Sequence, residues 1–148
     1  MGFSCTAIAQ EQPTAAMLKP VQGLMEFMRA LPAGHPDVFT REGLCIIENF
    51  PPYLFCARQA ANQWENGVRA HFAQDKLSRL VAKFGPAQDY SRHGDRAYFS
   101  LPTTWTGLTH GREFEEHGAW AFVLKLDGVR WRIVGYGWGV TSYLEKPG

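Results

Sequence analysis

Two glutamates and one histidine have apolar neighbours in the sequence, which is the setting that favours acid–base chemistry. Glu48 directly follows the short apolar segment 44–47 and precedes a proline-rich loop, while Glu116 lies among aromatic residues of a predicted strand. His71 lies on the apolar stripe of a predicted helix. A carboxyl group among apolar side chains has a raised pKa, as a general acid or base at neutral pH requires. Glu48, Glu116 and His71 are therefore the candidate catalytic residues.

Each of these three residues also has a purely structural interpretation. Glu116 belongs to a charge cluster with Glu113 and Glu115 near a turn, so it could reach water at a rim. Glu48 could be a buried acceptor for loop amides. A lone histidine on an apolar helix stripe, such as His71, is more often a hydrogen-bonded core residue than a catalyst. The sequence leaves these alternatives open.

Familiar metal and cofactor motifs are missing from the sequence. The five histidines form no H-x-x-H or H-E-x-x-H pattern, which predicts no metal site. There is no P-loop, no G-x-S-x-G and no G-x-G-x-x-G, so we predict no cofactor. The glycine-rich segment 135–139 lies within a predicted strand, and no helix follows it to hold a phosphate.

Length and composition indicate one globular domain. The chain has 148 residues, 45% of them hydrophobic and 20% charged, with a formal net charge of +1. No basic stripe favours nucleic-acid binding, and no run approaches the roughly 18 apolar residues of a membrane helix. We predict a flexible leader over 1–16 and a single domain over 17–148.

The N-terminus and the cysteines bear on the cellular compartment. The segment 7–9 resembles an A-x-A cleavage site, but no basic region precedes it. We therefore expect a cytoplasmic protein, with a periplasmic or exported one as the alternative. Three cysteines have no metal-ligand spacing. Cys45 and Cys56 could pair, but buried free thiols are the interpretation that we favour.

Apolar periodicity predicts two helices followed by a long β-meander. The first helix runs to about Leu31, with a single stripe of residues at i, i+4, i+7, i+11 and i+14: Met17, Val21, Leu24, Met28 and Leu31. The second helix covers about 57–75. A short strand precedes it at 43–48. Four strands follow it, at 80–90, 96–107, 112–126 and 129–141.

Two turns determine the predicted registers of the meander. His110-Gly111 pairs Thr109 with Arg112, and Asp127-Gly128 pairs Leu126 with Val129. Both registers place the same large side chains on one face, namely Phe99, Leu101, Trp105, Trp120, Phe122, Leu124, Trp131 and Ile133. They also place four glycines there: Gly118, Gly135, Gly137 and Gly139. Such a gap indicates either a cavity or close packing and curvature of the strands.

The opposite face of the predicted sheet is mixed but too apolar for open solvent. Its members are Tyr98, Ser100, Thr104, His117, Ala119, Ala121, Val123, Val134, Tyr136 and Trp138. Contiguous exposed apolar surface usually marks an interface. We therefore expect self-association through this face.

The order of elements and several segments resemble the NTF2-like superfamily over roughly 19–141. The segments that carry the resemblance are 45–53 (CIIENFPPY), 94–102 (GDRAYFSLP), 116–124 (EHGAWAFVL) and 131–138 (WRIVGYGW). They look most like bacterial NTF2-like proteins of unassigned function, including the SnoaL-like and ketosteroid isomerase-like groups. The resemblance implies an α+β, cystatin-like cone, with N-terminal helices packed on a curved antiparallel sheet. It also implies a homodimer formed through the open face of the sheet.

The resemblance suggests three kinds of function and does not choose among them. The first is binding of a small apolar or cyclic molecule in the cone, with these ligand-binding candidates: Tyr53, Trp64, Phe99, Trp105, Trp120 and Gly137. The second is an isomerase, cyclase or dehydratase that uses a pocket carboxylate as base. Glu48 lies near the position of the isomerase base, but the His–Asp pair of the dehydratases is not evident. The third is a non-catalytic protein-interaction module.

Overall fold

The computed structural model describes residues 11–148, which form two helices and seven strands. In chain order these are α1 (Ala15–Ala30), β1 (Cys45–Ile47), β2 (Leu54–Phe55), α2 (Ala60–Gln74), β3 (Leu77–Phe84), β4 (Gln88–His93), β5 (Arg96–Thr109), β6 (Arg112–Asp127) and β7 (Arg130–Glu145). The predicted α+β cone, with N-terminal helices on a curved sheet, is confirmed. Most of the predicted leader, the cleavage-like segment and Cys5 lie outside the described residues.

Helix α1 covers one side of the sheet with the predicted apolar stripe. Thr14 caps the helix, because its hydroxyl accepts a hydrogen bond from the Met17 amide at 3.3 Å. Met17, Val21 and Leu24 are buried together with Met28 against the core. Residues at this spacing share one helix face, so their burial follows directly from the periodicity. None of the helices in residues 11–148 is long and apolar enough to cross a membrane.

The seven strands form one sheet in the order β2-β1-β7-β6-β5-β3, and β4 also pairs with β5. All neighbours are antiparallel except β1 and β7, which run parallel, so the sheet is mixed. The predicted single strand over 80–90 is wrong, because a break at residues 85–87 divides it into β3 and β4. These two strands pair with opposite ends of β5.

The β5–β6 hairpin has the predicted register along its whole length. Thr109 pairs with Arg112, Trp105 with Glu116, and Phe99 with Phe122. His110 and Gly111 both have positive φ, as a type I′ turn requires. No bulge interrupts this ladder. The alternation of inward-facing and outward-facing side chains, counted from the turn, therefore continues to the far end of the hairpin.

The β6–β7 hairpin differs from the prediction in two ways. Its two loop residues are Gly128 and Val129, and Asp127 pairs with Arg130. The positive φ falls on Gly128, the first loop residue, where a type II′ turn places glycine. A register shift then follows at positions 123–124 of β6. Leu124 pairs with Ile133, but Phe122 pairs with Tyr136 instead of Ile133.

This bulge reverses the predicted facing of β7 from residue 135 to a second register shift near residue 141, which turns Tyr143 inward again. One extra residue in a strand moves every later side chain to the other face. Tyr136 and Trp138 are consequently buried inside the cone. Gly135 and Gly137 leave the aromatic face, as does the exposed Gly139, so the predicted glycine gap is wrong. Gly118 alone remains inside.

The Cys45–Cys56 pair is a disulfide, so the expectation of buried free thiols is wrong. In the β1–β2 hairpin, Ile46 pairs with Phe55 and Ile47 with Leu54, which places the two cysteines opposite each other one residue further out. Both cysteines are exposed. Closing a loop of this length stabilises a folded chain by about 3 kcal/mol in the chain-entropy account. The disulfide therefore anchors β1, the strand that Glu48 directly follows.

Candidate active site

A cavity of about 300 Å³ opens between α2, the loop after β1 and the inner face of the sheet. Its lining combines aromatic and aliphatic side chains with a small number of acidic groups, as small-molecule sites commonly do. The lining residues are Met28, Glu48, Asn49, Phe50, His71, Phe72, Asp75, Leu77, Leu80, Trp105, Thr109, Phe114, Glu116, Trp120, Trp138 and Tyr143.

Glu48 is the most deeply buried acidic group of this cavity, with 4% of its surface exposed. It follows the last residue of β1, where its amide bonds the Tyr53 carbonyl oxygen at 2.9 Å. Its carboxylate oxygen Oε1 accepts hydrogen bonds from the Tyr136 hydroxyl and, at 3.3 Å, from Trp64 Nε1. Buried polar groups are normally paired in this way. The disulfide, the β1–β2 hairpin and two donors therefore hold the carboxyl group in place.

Burial raises the pKa of the Glu48 carboxyl to about 7. The hydrogen bonds from Tyr136 and Trp64 lower this pKa, and the charge of Glu116 raises it. Desolvation therefore outweighs both donors. A carboxyl group with this pKa is partly ionised at neutral pH, so it can both accept and return a proton.

Glu116 lies on β6 opposite Tyr143 and lines the same cavity. Its Oε1 atom accepts a hydrogen bond of 3.2 Å from Trp138 Nε1. Burial raises the pKa of Glu116, while the Trp138 bond lowers it. Both acidic candidates thus receive a donor from β7, and both donors face inward because of the bulge.

His71 lines the cavity from α2 and stacks on Phe50, with ring centroids 4.9 Å apart. Its Nδ1 atom lies 3.5 Å from Oδ2 of Asp75, one helical turn later. Burial lowers the pKa of His71, and the charge of Asp75 opposes this effect only in part. Burial therefore favours the neutral form of the imidazole. The sequence prediction missed Asp75, although its i, i+4 spacing from His71 was a usable signal.

The structure brings the three candidate catalytic residues together, whereas it separates the six ligand-binding candidates. Trp105 and Trp120 line the cavity. Trp64 and Phe99 are fully buried behind the lining, where Trp64 supports Glu48. Tyr53 is 57% exposed on the loop outside the cavity. Gly137 is on the outer face of the sheet and cannot open space inside it.

Three aromatic residues that the prediction missed contribute to the cavity or to its support. Tyr136, which bonds Glu48, and Trp138, which bonds Glu116, were assigned to the wrong face because the prediction continued the alternation from the turn past residue 134. The change of the large residues from odd to even positions at this point of the sequence was a usable signal. Phe50 lies in the irregular Pro-Pro loop, whose course periodicity does not predict. In residues 11–148, no group of three or more histidine, cysteine, aspartate or glutamate side chains is arranged to hold a metal ion.

Among the described residues, one buried side-chain polar atom has no hydrogen-bond partner, and it is Nε1 of Trp120. The side chain is 2% exposed and lines the cavity, and its Nε1–H group meets no acceptor within 11–148. An unsatisfied buried donor costs about 1–3 kcal/mol. The tryptophan ring instead packs between Phe122 and Trp138, with centroids 5.6 Å and 4.6 Å away.

These features define a class of protein: an α+β cone whose helices and curved sheet enclose an aromatic, acid-lined cavity. The chain adopts the NTF2-like fold, which is the cone that solved structures of similar shape share. No protein-family model and no curated protein matches the sequence itself. The comparison of structures therefore shows the fold, and the function has to be argued from the site.

Three of these structures illustrate the likeness. The hexachlorocyclohexane dehydrochlorinase LinA-type3 from Novosphingobium barchaimii LL02 has a TM-score of 0.66 at 7% identity, covering 88% of this chain and 90% of the other. A provisionally named scytalone dehydratase from Novosphingobium aromaticivorans has a TM-score of 0.62 at 11% identity, covering 90% and 84%. A provisionally named ketosteroid isomerase from Shewanella frigidimarina has a TM-score of 0.63 at 16% identity, covering 84% and 95%.

Proposed function

We propose that the protein is an enzyme that moves a proton on a small cyclic, largely apolar molecule bound in the cavity. The observation that carries this proposal is Glu48, a buried carboxyl group with a pKa of about 7 that faces an aromatic cavity of about 300 Å³. A carboxylate serving only as a structural acceptor needs no such cavity. A protein-interaction module with a filled cone would have none, so the cavity favours a small ligand over that third possibility.

In the proposed reaction the Glu48 carboxylate removes a proton from a carbon atom next to a carbonyl group. The electron pair of the broken C–H bond moves into an enolate, and the protonated Glu48 then returns the proton to carbon. The Tyr136 hydroxyl and Trp64 Nε1 hold the carboxylate during both steps. Proteins with this fold bear the names of a dehydrochlorinase, a dehydratase and an isomerase, which agrees with lyase or isomerase chemistry.

Deuterium exchange into 2-tetralone, a small bicyclic ketone, tests this proposal. Proton NMR in D₂O follows loss of the α-proton signal with and without protein. We expect the protein-dependent rate to rise through pH 7 and then level off, because ionised Glu48 is the base. Glu48→Gln should lower that rate by roughly 10²-fold or more. Glu42→Gln, on an exposed loop, is the matched control. Exchange no faster than in buffer would contradict the proposal.

We also propose that two copies of the chain associate through the outer face of the sheet. Ala121 and Val123 lie on this face beside Ile47, and Val134 and Gly137 complete a shallow apolar depression. The inward turn of Tyr136 and Trp138 makes the face less aromatic than the sequence predicts, but it stays apolar. Sedimentation equilibrium should give the mass of a dimer, and Val123→Glu should give that of a monomer. A monomeric wild-type protein would contradict this assembly.

The Cys45–Cys56 disulfide favours the exported alternative over the cytoplasmic expectation, because disulfides persist mainly in oxidising compartments. Alkylation of the protein directly in cells, followed by mass spectrometry of the peptides, tests this location. We expect Cys45 and Cys56 to be recovered as a disulfide-linked pair. Recovery of both as alkylated free thiols would instead place the protein in a reducing compartment.

A further inference from the structure

We infer that the proposed substrate carries a positively charged amine. Glu116 and Asp75 bind this amine at the mouth of the cavity, and Glu48 acts as the base at its floor. This inference rests on the proposed function, since it names the substrate class of the same site. Its basis is an imbalance of charge in the cavity, together with the aromatic groups that surround it.

Among residues 11–148, the acidic groups of the cavity have no lysine or arginine partner, unlike several acidic groups on the surface. Outside the cavity, arginine or lysine pairs with Glu26, Asp37, Glu65, Glu113 and Glu145. Inside it, the only described partner of the Glu116 carboxylate is the neutral Trp138 donor, and that of the Asp75 carboxylate is His71 at 3.5 Å. No lysine or arginine of residues 11–148 lines the cavity. An anionic ligand would therefore be repelled.

The acidic groups differ in depth, which separates their roles. Glu48 is 4% exposed at the floor, Glu116 is of intermediate exposure, and the Asp75 side chain is 42% exposed. An ammonium group held by Glu116 and Asp75 would keep contact with water on one side. The apolar body of the ligand would then extend inward toward Glu48.

Aromatic rings complete the mouth and wall of this ammonium site. Trp105 pairs with Glu116 across the β5–β6 ladder, and the Trp138 ring approaches Glu116 through its Nε1 atom. Phe114 and Tyr143 stack at the same end of the cavity, with centroids 6.0 Å apart. The faces of such rings attract cations, and this attraction strengthens where water is excluded.

A buried donor at the inner wall points to the other end of the ligand. Trp120 Nε1–H has no partner in the described residues, and Trp120 lines the cavity. A carbonyl or hydroxyl oxygen on the ligand, reached by a small shift of the ring, would satisfy this donor. A ligand with an ammonium group and an oxygen acceptor on its ring system would therefore pair with the two carboxylates at one end and with the Trp120 donor at the other.

Few titratable side chains of the described residues lie close enough to Glu116 and Asp75 to affect their charge. The titratable groups facing Glu116 and Asp75 are Glu48 after β1, His71 on α2, and Tyr143 on β7. Burial lowers the pKa of His71 and so disfavours a positive charge on its ring. Burial raises the pKa of Glu116, and a bound ammonium would oppose this effect by favouring the ionised carboxylate.

Three probes with the same skeleton and different charges test this inference. They are 1-naphthylmethylamine, 1-naphthalenemethanol and 1-naphthoate, titrated into the 148-residue chain by calorimetry at pH 7.5. We expect the amine to bind at least about tenfold more tightly than the alcohol, because it gains a charge-assisted hydrogen bond and ring contacts. The carboxylate should not bind detectably.

Variants at neighbouring positions sharpen the test. Glu116→Gln and Asp75→Asn should each reduce the preference of the protein for the amine over the alcohol to about threefold or less. Glu115→Gln is the matched control, because Glu115 is exposed and contacts His117 outside the cavity. It should leave the preference unchanged.

The outcomes separate this inference from the proposed function. Equal affinity for amine and alcohol would overturn the ammonium site and leave the apolar cavity in place. Failure of every probe to bind would likewise overturn the ammonium site. In both cases, Glu48-dependent exchange of 2-tetralone decides separately whether the proposed proton transfer survives.

Discussion

The two hairpins that share β6 differ in how faithfully their strands keep a constant register. In β5–β6 the pairing counted from the turn holds from Thr109 to Arg96 without interruption. In β6–β7 it changes near Val123 and again near His117. The regular hairpin supplies the wall of the cavity. The bulged hairpin supplies the side chains that tune it, since its inward-facing Tyr136 and Trp138 bond the two glutamates.

This difference indicates that the chemistry of the site depends on an irregularity. Without the bulge, glycines would face Glu48 and Glu116, and the two ring donors would lie on the outer face. Bulges commonly occur next to functional sites, where they redirect side chains. Substitutions at inward-facing and outward-facing positions should therefore have different effects.

The largest effect should come from the glycines of the bulged hairpin. A Cβ atom at Gly118 would lie 2.4 Å from the Gly139 carbonyl oxygen and 2.6 Å from the Trp138 ring. Gly118→Ala should therefore lower the free energy of unfolding by about 3 kcal/mol, at the upper end of overpacking effects. A Cβ atom at Gly139 would meet nothing within 4 Å among the described residues, so Gly139→Ala should change this free energy by less than about 0.5 kcal/mol. Urea unfolding measures both. Equal effects would mean that the assignment of faces is wrong.

A slightly smaller effect should appear in the pH dependence of stability. The folded-state pKa of Glu48 is raised to about 7 from 4.5, so the folded protein favours the protonated form. The stabilisation is complete below pH 4.5 and is lost as pH rises through 7, by about 2–3 kcal/mol.

Urea titrations between pH 5 and pH 8 measure this loss. Glu48→Gln should remove most of it, because glutamine does not ionise. Glu42→Gln should leave the dependence as in the wild type. A Glu48→Gln protein that loses as much stability with rising pH as the wild type would show that Glu48 is not the responsible group.

Removing one hydroxyl group tests the inward position of Tyr136. The Tyr136 bond lowers the pKa of Glu48, so Tyr136→Phe should move that pKa above 7 and cost about 1–2 kcal/mol of stability. Tyr98→Phe, at an outward-facing position of the regular hairpin, is the matched control. Carbon-13 NMR of the glutamate carboxyl groups follows the titration. A shift in the Tyr98→Phe protein alone would reverse the assigned faces.

The smallest effect should follow a change at Gly137. The sequence register places this glycine in the cavity, where a larger residue would block the ligand. In the structure its Cβ position is 3.7 Å from Ile47 on the outer face, an ordinary contact distance. Gly137→Ala should therefore leave 2-tetralone exchange within about twofold of the wild type and stability within about 0.5 kcal/mol. Loss of exchange in a folded protein would restore the glycine to the cavity wall.

Local patterns in the sequence were sufficient to predict the helices, the meander and much of the core. The stripe of α1 and the His110-Gly111 turn each depend on residues close together in the chain. The prediction of buried Phe99, Trp120 and Phe122 depended on strand alternation, which the regular hairpin preserves. Trp131 and Ile133 are also buried as predicted. The register at the turn differs from the predicted one by two residues, and a shift of two residues leaves each side chain on the same face of the strand.

Only the tertiary structure decided how the candidate residues meet. Glu48, His71 and Glu116 could be singled out from their apolar surroundings, but the cavity that they share depends on packing of α2 against the sheet. The bulge changes the buried large side chains of β7 from odd positions (Trp131, Ile133) to even ones (Tyr136, Trp138), a change that the alternation counted from the turn does not predict. The pKa of Glu48 depends on burial by residues far away in the chain, and the partner of Cys45 depends on the β1–β2 register. The sequence determines which groups can react; long-range packing decides their surroundings and therefore their ionisation.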